Sequence, residues 1–210
     1  MKQTFFNYNL DPNLSINDFY VGIANIDAFN FLIKKNEYNN QIFLFGPKKS
    51  GKTHLSLIWQ NKNNAIKYNN NMTDILNKKR NILIDDMFFD LNEENMFYLI
   101  NHSKLYNLKI LITSSTPLNS YTFELADLSS RLRAFYYISI NLPDDQLLVN
   151  LMIKLFHDKQ IIVKNLEIFN YIIKRVGRSY ENIFTLVDQI DKLLLQKNKQ
   201  LTIPIIKELI

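Results

Sequence analysis

The sequence predicts an α/β unit built on a parallel sheet, followed by a smaller all-helical unit. Three observations predict it. Short apolar runs alternate with helix-like stretches from residue 42 to residue 140, the pattern of a parallel sheet with helices on both faces. Ile82-Leu83-Ile84 and Ile110-Leu111-Ile112 are apolar without interruption, as strands buried on both sides require. After Pro143 the strand signals stop, and apolar residues recur only at helical spacing.

The first strand, 42–45, runs into Gly46-Pro47-Lys48-Lys49-Ser50-Gly51-Lys52-Thr53, a complete GxxxxGK[ST] phosphate-binding loop. The chain has only four glycines and places two of them here, which marks a backbone demand. A helix over 53–60 follows, so the loop's N–H groups can cradle phosphates at its positive end. Lys52 can reach the β/γ-phosphates and Thr53 can hold Mg²⁺, so the chain is expected to bind a nucleoside di- or triphosphate. His54 follows Thr53 on that helix, where packing accounts for it.

Further strands are expected over 65–68, 82–86, 110–114 and 135–140, giving a five-stranded sheet. The strand 82–86 ends in Asp85-Asp86, where one carboxylate can hold Mg²⁺ and a second can orient an attacking water. Asp85 takes the metal role and Asp86 the catalytic one. The strand 110–114 delivers Thr113, Ser114 and Ser115 to the edge where α/β sheets bind ligands, and a hydroxyl there could sense a γ-phosphate or simply form a turn. Arg131 and Arg133 precede the last strand, and an arginine there could stabilise transferring phosphate or sit on the surface.

The boundary between the units falls at 141–144. A helix over 147–158 opens the second unit, and Leu166, Phe169, Ile172, Ile173 and Val176 form the apolar face of another, with Gly177 as its C-terminal cap. Ser179 can cap the next, whose face is Ile183, Leu186, Val187, Ile190, Leu193 and Leu194. Thr202 opens a last short helix with Pro204 in its first turn.

Composition narrows the classes. With 210 residues and 47% hydrophobic content the chain can bury one good core and a satellite. It has no cysteine, so disulfide and thiolate chemistry are excluded. No apolar run approaches the roughly 20 residues that span a membrane, and residues 1–9 lack signal-peptide order, so a cytoplasmic location is expected. The net charge of +5 is spread in short pieces, which suits solvated surface better than a nucleic-acid stripe. His54, His102 and His157 form no ligand pattern.

Together these elements resemble the AAA+ ATPases, and more narrowly the DnaA/Hda family. The resemblance implies an AAA+ P-loop NTPase fold with a parallel five-stranded sheet and a small C-terminal all-helical lid. Phe19-Tyr20-Val21-Gly22-Ile23-Ala24-Asn25 is similar to the family's segment ahead of the loop and places Tyr20 and Val21 at the adenine. Residues 127–133 resemble its box VII, with Arg131 at the arginine-finger position. The family's second sensor arginine is absent: Glu181 holds the aligned lid position and Arg178 lies three residues earlier, about one helical turn away. Ser115 holds the sensor-one position. These departures imply weak intrinsic ATP hydrolysis and a stably bound ADP, within an overall expectation of ADP or ATP with Mg²⁺.

Residues 143–148, 154–160 and 201–204 resemble the Hda branch, and the sequence ends after the lid without a helix-turn-helix to read DNA. Gln3-Thr4-Phe5-Phe6 resembles the peptide with which Hda-type proteins dock on the DNA polymerase III sliding clamp (its β subunit), with Gln3, Phe5 and Phe6 as anchors. The resemblance thus implies a clamp-binding peptide at 1–10, a nucleotide-binding domain at 11–142 and a lid at 143–210. It implies a regulator that promotes hydrolysis of DnaA-bound ATP, without sequence-specific DNA or membrane binding, and it leaves room for a homo-oligomer. A helicase loader of the same superfamily, a P-loop nucleotide kinase and a non-hydrolysing adaptor are the competing expectations. A kinase would need an acceptor pocket and an arginine-rich lid.

Overall fold

The computed structural model describes residues 14–34, 40–69, 71–86, 91–197 and 200–210. Gln3, Phe5 and Phe6 lie outside the described residues. Helix α1 (Ile26–Phe29) continues into a wider helical turn, Asn30–Lys34, and strand β1 spans Gln41–Phe45. Then follow α2 (Lys52–Asn63), β2 (Ile66–Lys67), α3 (Met72–Lys78), β3 (Ile82–Asp85), α4 (Glu93–Leu105), β4 (Ile110–Ser114), α5 (Ala126–Arg133) and β5 (Tyr136–Ser139). The C-terminal unit holds α6 (Asp145–Asp158), α7 (Glu167–Ile173), α8 (Tyr180–Lys197) and α9 (Ile203–Ile206).

All five strands are parallel, in the order β2-β3-β4-β1-β5. The two-residue alternation of strand side chains divides the core between the faces. Ile42 and Leu44 of β1, Leu83 of β3 and Leu111 of β4 join Leu55, Ile58 and Trp59 of α2 and Ala28 and Phe29 of α1. Phe43, Ile82, Ile84, Ile110 and Ile112 point the other way, onto Ile75 of α3, Leu99 and Ile100 of α4, and Leu128 and Leu132 of α5. This double burial explains the uninterrupted apolar runs. Trp59, fully buried, anchors the first layer. Trp59→Ala should lower unfolding free energy by about 3–5 kcal/mol, measured by urea titration.

Short polar side chains start the helices. Asn71, Asn92, Asp144 and Ser179 each accept a hydrogen bond from the backbone N–H three residues on, at 3.1, 2.7, 2.7 and 3.1 Å. α6, α7, α8 and α9 enclose their own core of Leu148, Met152, Phe156, Phe169, Ile172, Ile183, Val187 and Ile206. Two readings of this unit need correction. α7 ends at Ile173, so Gly177 does not cap it, and Gly51 is the only described glycine with positive φ. A Cβ on Gly177 would meet the Asn182 side-chain amide at 2.5 Å, an exposed group that donates to the Gly177 carbonyl and would have to swing aside. Leu166 is exposed rather than part of the apolar face, because α7 begins after it.

The helical unit packs directly on the sheet unit. Leu147 and Tyr180 are buried in the core layer of α1 and α2, and the Tyr180 hydroxyl donates to the Asn141 carbonyl at 3.2 Å. Burial pushes the Tyr180 phenol up to about 12, so it stays a neutral donor. Lys154 of α6 donates to the Asp18 carbonyl at 2.8 Å.

Candidate functional site

A cavity of about 570 Å³ lies where the loop after β1, the segment before α1 and the lid helices α6 and α8 meet. Its size suits a small-molecule ligand. Lys48, Lys49, Ser50, Gly51, Lys52, Thr53 and His54 form its floor, Tyr20 and Asn25 one wall, and Leu147, Asn150, Tyr180 and Phe184 the lid side.

The loop's conformation explains its glycines. Gly51 starts α2 at φ 92°, a left-handed geometry that a side chain would strain. At Gly46 a Cβ would lie 3.0 Å from both Ile140 Cβ and Ser50 Oγ, so a side chain there would crowd the loop as it leaves the sheet. Lys49 also takes positive φ, at 63°, and sets its ammonium 5.3 Å from the Phe184 ring of the lid. Ser50 Oγ is buried without a hydrogen-bond partner in the described structure. An orphaned hydroxyl inside a loop of this shape fits an anionic ligand.

Lys52 is buried, and its ammonium donates to the Gly46 and Pro47 carbonyls, each at 3.0 Å. Desolvation pushes its pKa down, opposed by the nearby Asp86 and Asp85 carboxylates. Thr53 Oγ1 donates to Asp85 Oδ1 at 3.2 Å. Asp85 is almost wholly buried at the end of β3 and collects further partners: Thr113 Oγ1 at 3.0 Å, Ser56 Oγ at 3.4 Å and Lys67 Nζ at 2.8 Å. Thr53 and Asp85 are oxygen donors of the type a hard cation takes, though this carboxylate already has an ammonium partner. Among the described residues no cluster of three or more His, Asp or Glu side chains forms a metal site. Asp86 is exposed, lines the cavity and takes positive φ, 53°, held by its N–H donating to Thr113 Oγ1 at 2.9 Å.

His54 is buried, and its Nε2–H donates to the Ser15 carbonyl at 2.8 Å, with Phe19 edge-on at 5.2 Å. Desolvation by burial holds its pKa below the usual histidine range, against the Ser15 bond and with help from Lys154. A depressed folded-state pKa means the unfolded chain binds the proton more readily. The stabilisation is therefore complete above about pH 6.5 and is lost as pH falls through the folded value. Thermal melts should show the wild type losing stability below that pH more steeply than His54→Gln.

Other expected site residues sit apart from the cavity lining. Val21 is half-buried against the α1/α2 core layer, while Tyr20 and Asn25 are joined by the Asn25 amide donating to the Tyr20 carbonyl at 2.9 Å. Ser115 lies beyond the end of β4; Thr113, the register partner of Asp85, is the hydroxyl that bonds the Asp85 carboxylate. Arg178 forks onto Asp145, with Nε and Nη2 each 3.1 Å from a carboxylate oxygen, and does not line the cavity. Arg131 stands on α5 with its guanidinium 4.8 Å from the Phe97 ring of α4, also away from the cavity. Lys67, Ser56, Asn150 and Phe184 were not named from sequence, and Thr113 was named only as one of three hydroxyls at the end of its strand. Strand parity could have singled it out, since it shares a face with Leu111.

Comparison with known proteins agrees with the fold. Residues 157–210 match the family model for the Hda lid domain. The chromosomal replication initiator protein DnaA of Acholeplasma laidlawii is 26% identical over 174 residues, covering 65% of this chain and 38% of the initiator. The chain thus spans well under half the length of that relative. Domain III of the Thermotoga maritima replication initiation protein DnaA superposes with a TM-score of 0.74 at 18% identity, covering 93% of this chain and 95% of that one. AMPPCP-bound DnaA from Aquifex aeolicus superposes with a TM-score of 0.66 at 20% identity, covering 89% and 67%. Residues 157–210 thus carry an Hda-type lid, and the chain as a whole has the fold of DnaA domain III.

Proposed function

We propose that this protein is a regulator of chromosome-replication initiation that holds ADP or ATP in its cavity and promotes hydrolysis of the ATP bound to DnaA. The observation that carries this reading is the position of Arg131. Its guanidinium rests on Phe97, outside the chain's own cavity, while the lid that closes that cavity matches the Hda lid. An arginine so placed is free to serve another subunit's nucleotide, where planar charge can stabilise the transferring phosphoryl group.

In this reading the loop N–H groups, Lys52 and Ser50 bind the phosphates, and Tyr20 and Asn25 border the base and sugar. Thr53 and Asp85 offer the oxygen atoms that Mg²⁺ would take in a P-loop site, but the Asp85 carboxylate is already neutralised by Lys67, so no step here depends on the metal. Asp86, beside Lys52 and with its backbone fixed by Thr113, is the residue available to orient water. Arg178 is engaged by Asp145, so the lid offers no arginine to the phosphates from that position, in keeping with weak hydrolysis by the chain itself. Gln3, Phe5 and Phe6 would tether the protein to the sliding clamp, concentrating it near DNA-bound DnaA.

The test is reconstituted hydrolysis of DnaA-bound ATP on clamp-loaded DNA, with and without this protein. Hydrolysis that requires both clamp and protein supports the reading. A DnaA pool that stays in the ATP form, alongside capture of replicative helicase, would turn the reading to a helicase loader.

A further inference from the structure

Asp85 is the best-connected acid in the described structure, and its partners are unusual in one respect. One carboxylate oxygen, Oδ1, accepts from Thr53, Thr113 and Ser56. The other, Oδ2, is 2.8 Å from the Lys67 ammonium. The Thr113 contact is directed, since Thr113 accepts from the Asp86 N–H and keeps its own proton for Asp85; the single Ser56 proton is instead shared between the nearer Thr53 carbonyl, at 3.0 Å, and Asp85, at 3.4 Å.

Lys67 comes from β2, the edge strand of the sheet. It is in register with Leu83, two residues before Asp85 and on the same face, so its side chain needs only to run along the strand end to reach the carboxylate. The side chains are 41% and 5% exposed respectively, so a half-exposed lysine neutralises a buried acid. A carboxylate this buried demands a permanent positive partner, and here the fold supplies one from its own chain.

We propose that Lys67 is the resident counter-cation of Asp85, so that nucleotide binding by this protein is indifferent to Mg²⁺. The inference rests on the nucleotide-binding reading above. A divalent ion approaching Asp85 would meet an ammonium already bonded to the same carboxylate, and like charge within hydrogen-bond reach opposes its entry. Lys52 lies close enough to feel Asp85 as well, so the phosphates would meet a site whose charge is balanced without metal.

The experiment titrates the full chain with fluorescent mant-ADP, in millimolar Mg²⁺ and again in EDTA. Wild type should bind with affinities within about threefold of each other, whereas Lys67→Met should bind about tenfold or more weakly in EDTA than in Mg²⁺. Lys67→Arg, which keeps the charge, should return to wild-type indifference. A wild type that loses about tenfold in EDTA overturns the inference without help from any variant, as does a folded Lys67→Met that stays indifferent. A wild type that binds mant-ADP in neither buffer sinks the nucleotide reading itself, and the Lys67 inference with it.

Discussion

Replacing Lys52 with alanine is expected to weaken ADP and ATP binding by about a hundredfold, read by calorimetry on the folded variant. The ammonium is buried at the mouth of α2 and is held by the Gly46 and Pro47 carbonyls at 3.0 Å each, aimed along the loop rather than into solvent. Burial depresses its pKa, and the Asp86 and Asp85 carboxylates counter that effect. A phosphate would replace two neutral carbonyl acceptors with anionic oxygens. Charge-assisted hydrogen bonds are worth roughly 1.5–3 kcal/mol each, so losing one or two of them accounts for about a hundredfold. The loop should survive the substitution, because its shape rests on Gly46, Lys49 and Gly51 rather than on the lysine head. An affinity within about threefold of wild type would show that phosphates do not sit on this loop.

The sheet was legible where burial is two-sided. β1, β3 and β4 occupy the centre, and their unbroken apolar runs match the observed strands to within a residue. The edge strands were less so. β2 shrinks to Ile66–Lys67 and β5 to Tyr136–Ser139, because an edge strand needs only one partner and can mix polar residues with apolar ones. The same cause hid Lys67, whose role appears only when β2 is laid beside β3. The phosphate loop was readable because its spacing fixes local geometry. Arg178, in the loop before α8, and Asp145 of α6 lie 33 positions apart, and periodicity says nothing of such a pair. Gly177 illustrates a further gap: a glycine near a helix end suggests a left-handed cap, but here the space is taken by the Asn182 amide.

Arg131→Ala is expected to reduce stimulated hydrolysis of DnaA-bound ATP by about a thousandfold, the lower end of what an arginine supplied in trans contributes. The loss should be specific. Arg131 does not line the chain's own cavity, so mant-ADP affinity should stay within about twofold of wild type. Stability should fall little, because its main contact is the Phe97 face at 4.8 Å, and such a half-exposed cation–π pair is worth about 0.5–1 kcal/mol. Arg131→Lys distinguishes charge from shape. An ammonium keeps the charge but lacks the planar fork, so it should recover only a small part of the rate if bidentate contact with phosphate is what matters. The Phe97 contact gives the arginine a resting place on α4, so docking on DnaA must exchange a ring face for an anion, and desolvated phosphate is much the stronger partner. Undiminished hydrolysis with Arg131→Ala would remove the arginine from the mechanism and leave this protein as an adaptor that uses its nucleotide only to hold the lid on the sheet.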